Sequence, residues 1–175
     1  MMKTLKVAFL CLAFSIPGAA KSLDLLDYEN NELPSDAVNC EVAFSEEHAE
    51  KQDQPALKID FKLSTADGSA GEFKPKKNSW KCFKKLKFIA FNPSGNALKS
   101  FGFFVKGAKM TNEPDNRKDW KSELPPGRSE HSFNLPGTLC NDGKTPLDYS
   151  TIFIWKFRCK EKVPATVYIL RAWLE

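Results

Sequence analysis

From Leu23 onward the chain is a succession of short β-rich runs, each closed by Pro, Gly, Asn or Asp, and this pattern most narrows its choice of fold. Helical periodicity is almost absent; a single helical turn is expected at residues 45–50. In ALKIDFKLS, Leu57, Ile59, Phe61 and Leu63 alternate with Lys58, Asp60 and Lys62, so one face enters a core and the other meets water. IFIWKF (Ile152 to Phe157) and KFIAF (Lys87 to Phe91) are apolar on both faces, which suits central strands or strands lining a covered surface. Strands are expected at 23–29, 38–44, 56–63, 72–74, 86–91, 100–106, 129–135, 152–158 and 166–174. Nine short strands in one domain predict an all-β, two-sheet sandwich or jelly roll.

Phe91 to Gly107, FNPSGNALKSFGFFVKG, shows what such a fold must solve. Asn92, Pro93, Ser94, Gly95 and Asn96 are turn formers between two aromatic-rich runs. The second run carries Phe101, Phe103, Phe104 and Val105, more apolar surface than one strand face needs. Either protein covers both faces, or one side stays open for a partner.

Residues 1–20 stand apart. MMKTLK is a basic start, VAFLCLAFSI an apolar stretch too short to span a bilayer, and PGAA a small-residue cleavage region. This predicts a secretory signal, no membrane span, and a secreted or periplasmic protein of residues 21–175. Without Lys3 and Lys6, Lys+Arg falls from 26 to 24 against 22 acids, a net +2; so neutral a chain does not point to nucleic acid. With Cys11 inside the leader, four cysteines remain: Cys40, Cys82, Cys140 and Cys159. An even number in an exported chain predicts two disulfides, with three connectivities open. No C-x₂₋₄-C spacing supports zinc.

Catalytic signatures are missing: no G-x-S-x-G, H-E-x-x-H or Gly-rich phosphate loop occurs. A carboxylate pair works as a glycosidase on any fold, but the acids gather in turns and at strand ends. A non-enzyme is therefore expected. Sugar rings stack their C–H faces on indoles while amides and charges orient the hydroxyls, which makes Trp80, Trp120, Trp155 and Trp173 the residues to weigh. Trp80 and Trp173 fit packing as well as binding. Trp155 belongs either to the core or to the open face holding Lys58 and Asp60. Trp120, in the polar RKDWKSE, suits either exposure or capping of a core edge. FKPKKNSWKCFKKLKF carries seven lysines from Lys74 to Lys87 and no acid. Such a run either grips an anionic glycan or membrane surface, or solubilises and protects a sheet edge.

Taken in order, six segments resemble non-catalytic carbohydrate-binding jelly rolls of the galactose-binding-like fold. They are LLDYEN, VAFSEEHAEKQDQPALKIDF, SWKCFKKLKFIAFNPSGNALKSFGFFVKG, ELPPGRSEHSFNL, LDYSTIFIWKF and PATVYILRAWLE, and they cover nearly the whole chain after the leader. The resemblance implies one jelly-roll domain over 21–175 that binds a polysaccharide or other glycan. It would act as a monomer, with separate secreted enzymes as its partners. The alternative is a structural or protein-interaction jelly roll without a sugar site. The family's last strand often has an Asp that helps hold a structural calcium; here Leu170, beside Arg171, stands in its place. Asp27 and Glu29 alone fall short of calcium's six to eight oxygens, so calcium is disfavoured and no cofactor is expected. Gln52, Asp53 and Gln54 replace a common Gly turn.

In that fold, residues 92–96 would turn between two strands of one sheet, with Phe101, Phe103 and Val105 inside and Gly102, Phe104 and Lys106 outside. The glycan site is expected around Asp60, Lys58, Phe104 and Trp155, with Trp120 at its rim and Trp80 nearby. The lysine run favours an acidic ligand. Alternating strand directions imply Cys40–Cys140 and Cys82–Cys159 as the disulfides, with strands 86–91 and 152–158 as antiparallel neighbours.

Overall fold

The structure, a computed structural model, describes residues 22–28, 30, 32–51, 54–62, 68–109, 111, 113–161 and 164–175. The expected leader, Glu29, Leu63, Gln52 and Asp53 lie outside these. Ten strands form: β1 (Leu23–Asp24), β2 (Cys40–Ser45), β3 (Ala56–Phe61), β4 (Gly68–Ser69), β5 (Lys85–Asn92), β6 (Leu98–Gly107), β7 (Arg117–Leu124), β8 (Gly127–Asn134), β9 (Ile152–Cys159) and β10 (Ala165–Leu174). The larger sheet runs β2-β3-β10-β5-β8, with β1 against the end of β10; the smaller runs β4-β9-β6-β7. Neighbours are antiparallel throughout. The protein is a jelly-roll sandwich. Its one regular helical piece among the described residues is a 3₁₀ turn, Pro114–Asn116; residues 45–50 form the end of β2 and a turn.

Alternation works as expected in β3, where Leu57, Ile59 and Phe61 enter the core while Lys58 and Asp60 stay outside. Phe101, Phe103 and Val105 of β6 meet Phe157 and Trp155 of β9 and Phe88 of β5 between the sheets. The 92–96 turn does not join strands of one sheet. It carries the chain from β5, in the larger sheet, to β6, in the smaller. The buried Asn92 side chain ties this arch: its Nδ2 donates to the carbonyls of Asn96 (2.9 Å) and Leu124 (3.1 Å), and its Oδ1 accepts from Ser94 N (3.0 Å). Strands 86–91 and 152–158 therefore lie in opposite sheets, contrary to the expectation.

β7 is a strand that the sequence pattern does not show, and one extra strand reverses the direction of each strand after it. The disulfide expectation fails for that reason. Cys40 lies at the end where its Sγ–H donates to the Ser69 carbonyl (2.9 Å), next to Gly68, the partner of Cys159. Cys82 and Cys140 lie at the other end, where Trp80 N bonds the Tyr149 carbonyl and Leu135 N bonds that of Lys84. The pairings Cys40–Cys140 and Cys82–Cys159 would each cross the length of the sandwich. The structure holds neither pairing: Cys40, Cys140 and Cys159 are buried, and Cys82 is exposed.

Candidate functional site

The outer face of the smaller sheet carries a hollow of about 240 Å³. Its floor is Gly102 in the middle of β6, flanked across the register by Arg158 of β9 and Lys121 of β7. A Cβ on Gly102 would come within 2.4 Å of the Trp120 carbonyl oxygen, so the close approach of β6 and β7 requires glycine. Ser100, Trp120, Asn141 and Lys160 complete the walls.

Asp119 organises the polar side of the hollow. One carboxylate oxygen accepts from Arg158 Nη1 (3.0 Å) and the other from Asn141 Nδ2 (2.7 Å), while Asn141 Oδ1 accepts from the Asp119 amide (3.0 Å). Arg158 and Asp119 are each only about one-fifth exposed (22% and 23%), so the pair is held firmly enough to present a fixed set of donors and acceptors. Phe104, next along β6, is the apolar surplus of the sequence. It is 3% exposed because two cations cover it, Lys156 Nζ at 5.0 Å and the Arg158 guanidinium at 5.7 Å from its ring centre. Lys156 also meets Glu72 (3.2 Å). By register, Lys106, Lys156, Arg158, Arg117 and Lys121 share this face with Asp119, so its charge is predominantly positive.

The residues expected to form one site are dispersed. Trp155 is fully buried between Phe73 (4.2 Å) and Phe103 (5.3 Å), and Trp80 is fully buried with its Nε1–H on the Lys77 carbonyl (3.0 Å). Neither indole can reach a ligand. Lys58 and Asp60 lie on the outer face of the larger sheet, where Lys58 meets Asp60 (3.6 Å) and Thr166 donates to Asp60 (2.6 Å). The core separates them from Phe104. Of that group only Trp120 borders the hollow; Phe104 lies beside it, beneath Lys156 and Arg158. Trp120 is half-buried and caps the core edge, its ring stacked on Phe133 (5.5 Å), while its backbone carbonyl lies against the hollow's floor at Gly102. Sequence reasoning missed Arg158, Asp119, Lys121 and Asn141, which converge from separate segments. The one local signal was the glycine in FGFF.

The carboxylates near the N-terminus already have cationic partners: Asp24 accepts from Arg171 Nε (2.7 Å) and Asp27 lies 3.4 Å from Lys76 Nζ. No cluster of three His, Cys, Asp or Glu side chains fit to hold a metal occurs among the described residues.

No family model matches the sequence, and no curated protein matches it either. Solved structures do match the fold. The family 11 carbohydrate-binding module from Clostridium thermocellum, solved with a β-1,3-1,4-mixed-linked tetrasaccharide, superposes with a TM-score of 0.66 at 11% identity, covering 89% of this chain and 96% of that one. The fold is that of carbohydrate-binding-module jelly rolls. A family 30 carbohydrate-binding module matches with a TM-score of 0.64 at 9% identity over 89% of this chain and 98% of its own. An exo-β-agarase matches with a TM-score of 0.65 at 15% identity over 87% of this chain, which spans only 25% of the agarase.

Proposed function

We propose that the protein is an exported, non-catalytic glycan-binding module whose ligand lies across the outer face of the smaller sheet, in the Gly102 hollow. The hollow carries this reading. A sugar hydroxyl both donates and accepts, and the Arg158–Asp119–Asn141 network presents both functions side by side. Lys121 and Lys160 add further cationic donors at its walls. At about 240 Å³ the hollow is smaller than the ~300–1,000 Å³ of typical small-molecule pockets. One ring of a longer chain suits it, with the rest of the polymer lying along the sheet.

The cationic excess around the hollow favours an acidic polysaccharide, carboxylated or sulfated. The basic leader and apolar stretch of residues 1–20 support export, and the module would then act as a monomer beside separate secreted enzymes. Asp119 is engaged by an arginine and an amide, which suits holding a ligand better than exchanging protons with it.

A glycan array of neutral and acidic polysaccharides, followed by calorimetry on the best ligand, tests this. Asn141→Ala and Lys121→Ala should each weaken binding by roughly 1–3 kcal/mol if these side chains anchor the ligand. Full affinity in both variants would place the site elsewhere. No binding to any glycan would favour the jelly roll as a protein-interaction domain.

A further inference from the structure

The lysine-rich stretch takes no part in the hollow. It closes the opposite end of the sandwich, where Ile152 N bonds the Asn78 carbonyl (2.7 Å). Arg158 lies six residues further along β9, about 20 Å away at the rise of a strand.

This end loop is firmly held. Trp80 N donates to the Tyr149 carbonyl (2.8 Å), Phe83 N to that of Trp80 (3.0 Å), and the Lys84 and Lys85 amides to that of Glu175 (2.6 and 2.8 Å). Trp80 and Phe83 plug the core from above, which turns the intervening side chains outward. Lys74, Lys77, Lys81, Lys84 and Lys85 are exposed. Among the described residues these five form no salt bridge, whereas Lys76 meets Asp27 and Lys87 meets Glu130 and Glu175. Asp148, near Lys81, is engaged by Ser150.

Charge counting makes the end distinctive. The run holds seven of the 26 Lys+Arg residues and no acid, leaving 19 cations to face 22 acids elsewhere. It is the positive pole of an otherwise net-negative chain. Because its aromatic residues are buried, it has no stacking platform for nucleic-acid bases and no apolar face to enter a bilayer. What it offers is a rigid array of charge.

We propose that this end is a second binding surface, for a polysaccharide strand carrying repeated sulfate or carboxylate groups. It stands independently of the hollow. A strand long enough to reach both would bind each more effectively than either alone, because the second contact is made at high local concentration.

Dextran sulfate is the probe, with uncharged dextran and phosphatidylglycerol vesicles for comparison. The protein should bind dextran sulfate and neither of the others, losing on the order of 100-fold in affinity between about 50 and 200 mM salt, as about five released counterions imply. Replacing Lys74, Lys77, Lys81, Lys84 and Lys85 with Gln should weaken binding at least about tenfold and flatten the salt dependence. Lys62→Gln with Lys99→Gln, exposed lysines elsewhere, should leave both unchanged. Three results would overturn the proposal: unchanged affinity in the five-lysine variant, an equal loss in the Lys62/Lys99 control, or retention on the vesicles without binding to dextran sulfate.

Discussion

Trp155 is held within 8° of parallel to Phe73 and within 6° of parallel to Phe103. Its indole N–H is nevertheless buried without a hydrogen-bond partner, a desolvation cost of ~1–3 kcal/mol set against the burial of a large apolar surface. Trp155→Ala should therefore cost ~3–5 kcal/mol in urea unfolding, and Trp155→Phe less than half of that, because it removes the orphaned donor while keeping a ring in the stack. Equal losses would show that the N–H finds a partner in solution. The sequence leaves the direction of Trp155 open for a specific reason. IFIWKF is apolar at nearly every position, and the pairing of β6 with β9 shifts register between Lys106 and Gly107. Phe153 and Trp155, two residues apart, consequently part company: Phe153 is 37% exposed and Trp155 fully buried.

At the scale of elements, the seam between β7 and β8 joins the two sheets along one side and is fastened by His131. Its Nδ1 lies 2.5 Å from Ser122 Oγ of β7, its Nε2 lies 2.8 Å from Ser129 Oγ, and its ring stacks on Phe88 at 4.7 Å. Burial holds the imidazole below its ordinary pKa, against a smaller upward pull from Glu130. In the unfolded chain the ring takes its proton near pH 6.5; in the fold it does so only at lower pH. The stability is thus intact above about pH 6.5 and lost as pH falls through that value toward the folded pKa. Thermal melts from pH 8 down to pH 5 should show a steeper loss in the wild type than in His131→Asn; parallel curves would remove His131 as the cause. β3, β5, β6, β9 and β10 were legible because each has a core-facing row of apolar residues. In β7 the inward side is Trp120, Ser122 and Leu124 at a sheet edge, too sparse to show a period of two, and that gap misassigned the cysteine ends. The hollow was illegible for a related reason, since Asp119 and Lys121 ride on the strand that was not seen.

For the molecule as a whole, the cysteines give a direct test of the chain path. Burial pushes the Cys40 thiol up to about 11 and raises that of Cys140, and Cys159 is 1% exposed, so all three should resist reagents that attack thiolates. Alkylation of the native protein followed by peptide mass spectrometry should find label at Cys82 alone, and at all four sites after unfolding. Label at Cys40 or Cys159 in the native state would mean that their end of the sandwich is open.

β7 also bears on how one copy of the protein meets another. It is the outer strand of the smaller sheet: Asn141 covers its far edge at Arg117 and Asp119, and the rest of that edge, bonded to no other named strand, is a template for a strand from a neighbouring molecule. Arg117, Lys118, Asp119, Lys121 and Glu123 occupy five of its eight positions. A strand arriving from a second copy would have to lay its own apolar row against these charges and strip their water. The composition that hides β7 from a search for alternating hydrophobicity thus also denies it to intruding strands, and crowded, concentrated solutions of the protein should stay free of edge-to-edge fibres.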